Sequence, residues 1–394
     1  MIYVNYTNTD KPELANVEYQ LSLQEKGLLR VQDWNSTDTD TTFYYDRHDL
    51  ALRLIEFKNF ISDEQWEFFR TNENATIVVN FADDYLNQTD LDRFANDIKA
   101  KNVDNSRIYF VTMDPNFETF TKVGLAERGV HNVTVDHINI LMKRVPPRYT
   151  QDTNTTKKFS IFSRNYRDWR LNLYAKLLNI GVLDNAIYSF HNYNPYTDEI
   201  YNFDEVRADL VKEGHEITPE LNDWVNGMPY DLGNRGHKWS NAVYGALESS
   251  DFHIVIESHF DPYLGNNFDF ARDTYSATNI SPGFITEKVW KAITCKRPFI
   301  VAATPYILKD LRKLGYKTFD GLINESYDEI IDDKERLAAI VEEVDRINKL
   351  PIEEYKQLIE SIKEITDFNH SLYIRQWEST SFVKYPLLHG IVVL

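Results

Sequence analysis

Two short runs rich in β-branched and aromatic residues constrain this chain most: 75–81 (Ala-Thr-Ile-Val-Val-Asn-Phe) and 107–113 (Arg-Ile-Tyr-Phe-Val-Thr-Met). Each is close to continuously apolar instead of alternating, as a strand buried on both faces of a parallel sheet must be. Between them Leu91, Phe94 and Ile98 recur at helical spacing. Parallel strands can be joined only by a crossover, so strand, helix, strand at this distance predicts a βαβ unit. The same logic returns further on. Strands are predicted over 158–163, 186–190, 252–256 and 298–302, and helices over 168–178, 241–247, 285–293 and 305–314. Acidic helices are expected from about 332 to 366, broken at Pro351. The polar stretch 191–238 has no strong pattern and reads as an insertion near a site.

Pro146 and Pro147, followed by the polar run 151–157, mark a linker. A length of 394 residues suits two domains better than one. The expectation is a Rossmann-like domain over 1–150, a second over 158–366, and an aromatic-rich tail over 367–394 that packs back on the body. The expected fold class is therefore α/β, with two Rossmann-like domains facing across a cleft. Open parallel sheets bind ligands at the carboxyl ends of their strands. Two facing sheets would bring a nucleotide-bearing donor to a second substrate.

Composition removes several classes. A formal charge of −18 repels phosphate backbones and anionic lipid, while leaving room for a local basic pocket. The 24 Tyr and 23 Phe exclude a disordered chain. The single Cys295 forms no internal disulfide, which points to a reducing compartment. No run approaches the roughly 20 apolar residues of a membrane span, and Met1 to Asp10 lack a basic leader; the expected location is the cytoplasm. Gly-x-Gly-x-x-Gly, the P-loop and Gly-x-Ser-x-Gly are all missing, and no Cys/His set has zinc spacing. Asp38-Thr39-Asp40 mimics a metal-binding Asp-x-Asp, but it sits in a Ser/Thr/Asn loop and is taken as chance, so no metal is expected.

Two segments carry chemistry. In 281–293 (Ser-Pro-Gly-Phe-Ile-Thr-Glu-Lys-Val-Trp-Lys-Ala-Ile) a Pro-Gly turn feeds a helix with its apolar face at Ile285, Val289, Ala292 and Ile293. Thr286, Glu287 and Lys288 fall in its first turn. A helix N-terminus with an added lysine suits a phosphate, and Glu287 can accept from two ribose hydroxyls. On spacing alone the commoner reading is that Thr286 caps the helix and Glu287 complements its dipole. In 163–177, Arg164, Arg167 and Arg170 cluster before and within a helix start. Their planar forks suit a pyrophosphate, and routine pairing with Asp168 suits them too.

Together with the strand-end Glu257 and the strand Lys296-Arg-Pro-Phe-Ile-Val301, these segments resemble the donor-binding signature of the fucosyltransferase-like glycosyltransferases, the α1,3-fucosyltransferase superfamily. The resemblance covers about residues 158–335, with Phe284 where a tyrosine is usual and Ser258 where an asparagine is usual. It implies the two-domain GT-B architecture, with the acceptor on the N-terminal domain and a nucleotide-sugar site on the C-terminal one. It implies inverting, metal-independent transfer of a sugar from a nucleoside diphosphate donor, GDP-fucose or another GDP-sugar favoured, to a hydroxyl of a glycan acceptor. No cofactor beyond the donor is implied. By the same resemblance Glu287 holds the ribose, Lys288 the pyrophosphate and Arg170 the donor phosphates, with Arg164, Arg167, Glu257, Phe284 and Thr286 around them. Arg272 and Asp273, before the signature helix, could touch the sugar.

An inverting reaction needs a base for the acceptor hydroxyl. Asp83, Asp84 and Asp114 stand at the ends of first-domain strands, which is equally the ordinary place for turn and capping aspartates. With no membrane anchor expected, a bacterial or viral enzyme is the expected source. Two alternatives stand beside this reading. One is a sugar transferase acting on modified DNA, against which the negative charge counts. The other is a non-catalytic nucleotide-sugar or carbohydrate-binding protein.

Overall fold

The computed structural model describes residues 2–5, 28–30, 42–46, 62–81, 88–112, 122–137, 142, 145–148, 155–194, 199–232, 239–260 and 285–379. The chain divides into two compact units, Met1–Ile140 and Leu141–Leu394.

The first unit contains strands β1 (Ile2–Asn5), β2 (Leu28–Arg30), β3 (Thr42–Asp46), β4 (Thr76–Phe81), β5 (Ile108–Thr112) and β6 (Thr134–His137). They form one sheet in the order β2-β1-β3-β4-β5-β6, and every neighbouring pair is parallel. Helix α1 (Asp63–Thr71) precedes β4, α2 (Gln88–Lys101) joins β4 to β5, and α3 (Val123–Glu127) precedes β6. The βαβ unit read from the sequence is therefore present. Its helix buries Leu91, Phe94 and Ile98 among Ile77, Val79 and Phe110 of the two strands, with the Phe94 and Phe110 rings edge-on at 5.0 Å. Helix α1 opens on a reciprocal cap: Gln65 N–H donates to Ser62 Oγ, and Ser62 N–H donates to the Gln65 side chain.

The second unit runs β7 (Lys157–Ser163), α4 (Asp168–Asn179), β8 (Ala186–Phe190), a short antiparallel pair β9 (Tyr193–Asn194) and β10 (Glu199–Ile200), α5 (Phe203–Lys212), α6 (Pro219–Asn226), α7 (Trp239–Glu248) and β11 (Ser250–Ile256). It continues with α8 (Glu287–Thr294), β12 (Phe299–Ala302), α9 (Ile307–Lys313), α10 (Asp333–Lys349) and α11 (Ile352–Ser379). Its sheet is parallel throughout, in the order β12-β11-β7-β8. The strands are as apolar as expected, Phe252, Ile254, Val255 and Ile256 of β11 all being buried. The chain moves outward from β7 to β8 through α4, then outward the other way from β11 to β12 through α8. The strand order therefore reverses between β7 and β11, and at such a point the two carboxyl-end loops part and leave a crevice.

Three expectations change. The stretch 191–238 is not patternless, since it contains α5 and α6. Asn202 and Glu205 form a capping box before α5, and Thr218-Pro219 starts α6. Val206, Leu210, Leu221, Trp224 and Val225 supply their buried faces. Second, α11 runs through position 367 to Ser379, where a tail was expected to begin. Ile362, Thr366, His370 and Tyr373 are buried at helical spacing, and no Pro or Gly interrupts 352–379. Third, the paired prolines stand inside the second unit. Arg148 N–H donates to Thr294 Oγ1 at 2.9 Å, and the Tyr373 hydroxyl reaches the carbonyls of Met142 and Val145. Among the described residues, no helix is long and apolar enough to cross a membrane.

Candidate functional site

The site grows from the end of β11. Glu257 follows the strand's last residue, and its N–H donates to the Ala302 carbonyl at 3.0 Å. Its side chain is 1% exposed. Oε1 accepts from Thr286 N–H at 3.0 Å, and Oε2 accepts from the Thr286 hydroxyl at 2.5 Å and from Ser258 N–H at 3.2 Å. A carboxyl group survives such burial only when its lone pairs are filled. Burial pushes this carboxyl up, while the Lys288 ammonium at 3.6 Å and the Thr286 bonds pull the other way. Glu257 thereby ties the end of β11 to the start of α8.

Thr286 is the N-cap of α8, its Oγ1 accepting from Lys288 N–H at 3.4 Å. The cap read from the sequence is present, and it has a second use. Lys288 Nζ donates to Thr286 Oγ1 at 2.9 Å and to Ser258 Oγ at 3.1 Å. The Lys288 side chain keeps 25% exposure, so a positioned ammonium stands at the positive end of a helix. Glu287, 32% exposed, lies beside it, with Oε1 at 3.6 Å from Lys288 Nζ and 3.8 Å from Lys291 Nζ. Partial burial would raise the Glu287 carboxyl, but the two ammonium groups hold it down to about 2 and keep it ionised at neutral pH.

The three arginines part company. Arg170, in the first turn of α4, is 4% exposed. Its Nη1 donates to the Asn165 carbonyl at 3.1 Å and its Nη2 to the Glu257 carbonyl at 2.9 Å. Its guanidinium therefore spans the reversal point, joining the loop after β7 to the end of β11. Arg167 is the N-cap residue of α4 without a side-chain cap bond and is half-buried, while Arg164 is exposed. Neither side chain hydrogen-bonds a described residue. Across the same point Trp169 stacks on Phe260, with ring centroids 4.7 Å apart and planes at 17°.

The structure thus brings together Glu257, Thr286, Glu287, Lys288 and, through a carbonyl, Arg170. It leaves Arg164 and Arg167 outside that network. Phe284, Asp83, Asp84, Asp114, Arg272 and Asp273, with Asp38 and Asp40, lie outside the described residues. Two participants escaped the sequence reading. Ser258 was noted only as a departure from a motif, although its place directly after a strand-end acid was a usable signal. Arg336, which reaches the Phe260 carbonyl, had none, because its Asp-Lys-Glu-Arg context reads as a solvated helix face. Cys295 is buried in the core, where burial pushes its thiol up to about 12 and keeps it protonated. An open cleft of about 660 Å³ beside α9 includes Arg312, Glu325 and Arg346 in its lining but none of the site residues. Its arginines are already engaged, Arg312 with Glu325 at 3.2 Å and Arg346 with Glu343 at 2.6 Å.

No protein-family model and no curated protein matches this chain. Among solved structures the chain is similar to the glycosylation associate protein (Gap123) complex from Streptococcus agalactiae, with 10% identity and a TM-score of 0.36. The match covers 96% of this chain but only 62% of that one, and likeness at this level carries no weight about chemistry.

Proposed function

We propose that this chain is a glycosyltransferase whose second unit takes a nucleoside diphosphate sugar at the carboxyl edge of the β12-β11-β7-β8 sheet. The observation that carries this reading is the Lys288 ammonium, held by Ser258 and Thr286 at the positive end of α8 and beside the reversal of strand order. The motif resemblance over 158–335 supplies the donor class, with a GDP-sugar such as GDP-fucose favoured. Lys288 takes the diphosphate, and ionised Glu287 accepts from two ribose hydroxyls. Arg164 and Arg167 meet the phosphates from the β7 side. Glu257 and Arg170 lie beneath the surface and act through Thr286, Lys288 and the Ser258 backbone.

During transfer the bond from the anomeric carbon to the diphosphate oxygen breaks and negative charge grows on the leaving group. A fixed ammonium stabilises that growing charge more than the ground state. In the GT-B reading the acceptor belongs to the first unit. The acceptor oxygen bonds the anomeric carbon and gives its proton to a carboxylate, for which Asp83, Asp84 and Asp114 are the candidates.

Thermal shift against GDP, UDP, CDP, ADP and their sugars tests the reading. A ligand at about one hundred times its Kd adds about 2.7 kcal/mol of stability. A shift with GDP alone supports the GDP-sugar donor. A shift with UDP alone keeps the transferase and discards the fucose inference, and no shift with any nucleotide overturns the reading. Lys288→Ala is expected to lower stability, because the buried Glu257 loses its ammonium neighbour. Measured where the variant is still folded, it is expected to lose about 1.5–3 kcal/mol of diphosphate binding, the worth of a hydrogen bond to a charged group. Release of free sugar from the donor by the wild type separates an enzyme from a non-catalytic binder.

A further inference from the structure

Arg336 sits in the first turn of α10 and is 1% exposed. A guanidinium carries five N–H donors. Here Nε donates to the Ala303 carbonyl at 3.0 Å, and Nη1 to the carbonyls of Ile330 at 2.8 Å and Ile331 at 2.9 Å. Nη2 donates to the Phe260 carbonyl and to Asp333 Oδ1. Every donor has an acceptor, and the guanidinium also lies 4.3 Å from the centroid of the Phe260 ring. Ala303 follows β12, Phe260 lies in the loop after β11, and Ile330 and Ile331 lead into α10. One side chain therefore gathers three loop ends at the carboxyl edge of the sheet.

The segment from Glu257 to Phe260 is held at both ends. Arg170 takes the Glu257 carbonyl, and Arg336 takes the Phe260 carbonyl. Between them lies Ser258, whose hydroxyl accepts from Lys288 Nζ. Phe260 in turn stacks on Trp169 in the first turn of α4. A surface ion pair with Asp333 would leave most of these donors in water, so charge pairing alone does not account for the burial.

We propose that Arg336 is a positioning residue for the anion site: it fixes Glu257–Phe260 so that Ser258 and Lys288 meet an incoming diphosphate as a preset pair. The consequence for binding rests on the diphosphate reading above. Groups already ordered lose less freedom when a ligand arrives, and a site is only as well placed as the residues supporting it. Lysine offers three donors from a single point and cannot span the four carbonyls.

The test uses the full chain with Arg336→Lys, and Arg346→Lys on the same helix as the control, since Arg346 bonds Glu343 and the Leu322 carbonyl instead. Amide hydrogen exchange and calorimetric affinity for GDP, UDP, CDP and ADP are measured at a temperature where all proteins are folded. Arg336→Lys is expected to speed exchange locally at Ser258–Phe260 and to weaken the nucleotide roughly 10- to 100-fold, as loss of a supporting residue does elsewhere. Arg346→Lys is expected to do neither. Wild-type exchange at Ser258–Phe260 overturns the inference, and so does acceleration spread evenly over β7 and β11, which marks a merely structural role. Wild-type nucleotide affinity in Arg336→Lys overturns it as well. A wild type that binds none of GDP, UDP, CDP and ADP overturns the diphosphate reading alone; local or even exchange then still decides for or against Arg336. If Arg336→Lys does not fold, Arg336→Gln, whose amide keeps two donors at the same place, is judged by the same criteria.

Discussion

Among the described residues, the sheet of the first unit is packed by Phe43, Trp66, Phe69, Phe94 and Phe110; in the second unit, serines, threonines, two histidines, two glutamates, two aspartates and two arginines are buried beside the hydrocarbon. Both sheets are parallel, and both reverse their strand order, between β1 and β3 in one and between β7 and β11 in the other. Among the described residues the buried polar side chains of the first unit are Gln65, which serves a helix cap, and Asp97. In the second, Ser250 Oγ donates to Ser160 Oγ at 2.8 Å, and His253 Nδ1 lies 3.0 Å from that same hydroxyl and 2.9 Å from the Ser160 carbonyl. Just past the end of β11, Arg170 of α4 takes the Glu257 carbonyl and Arg336 of α10 takes the Phe260 carbonyl. Burying charge costs desolvation that only near-complete pairing offsets. At the carboxyl end of β11 such bonds hold the Glu257–Phe260 loop at both ends.

Phe110→Ala removes a fully buried ring and is expected to cost the first unit about 3–5 kcal/mol. If the two interiors have separate tasks, nucleotide binding by the folded protein stays at its wild-type value. Calorimetric unfolding and a ligand titration on the same sample check both halves, and a matching loss of affinity would contradict the division.

A pH titration sharpens the contrast. Burial holds His253 down to about 3, well below the ordinary value of 6.5. The folded state therefore keeps this imidazole neutral where the unfolded chain has already taken up a proton. Its contribution is fully present above about pH 6.5 and is lost as pH falls from there to about 3, at up to about 1.4 kcal/mol per pH unit. Denaturant unfolding over that range should show a steeper acid loss for the wild type than for His253→Asn. Equal slopes would remove the buried imidazole from the account.

The smallest effect returns to the first unit. Ser62→Ala deletes one half of the α1 capping box and is expected to cost about 1 kcal/mol, with no change in nucleotide affinity. Chemical denaturation resolves a change of that size.

Much of the fold was legible because it is local. The runs 75–81, 107–113 and 252–256 read as strands since β-branched side chains crowd a helix and fit a pleated sheet. The βαβ connection followed from strand direction alone. Helices α5 and α6 were missed although Asn202, Glu205, Thr218 and Pro219 announced them, because the apolar positions between those caps are few and the polar majority hid the period. The end of α11 was missed for the opposite reason, since its aromatic residues suggested a packed tail while their spacing was helical. Of the site, the cap at Thr286 and the placement of Lys288 in the first turn of α8 came from spacing. The roles of Glu257 and Arg170 did not, because both look like ligands until their burial is known.

The sequence by itself determined the alternation of strand and helix, the parallel sheets and the helix start that carries Lys288, all set by neighbours a few residues apart. Only the tertiary structure decided what each charge is for. Arg164, Arg167 and Arg170 are alike on paper, yet one turns inward to a carbonyl 87 positions away and the others do not join it. Glu257 looks outward as a strand-end acid, yet its partner Thr286 stands 29 positions on. A charged side chain goes to the acceptors or donors that offset its desolvation, and those come from whichever loops the fold brings together.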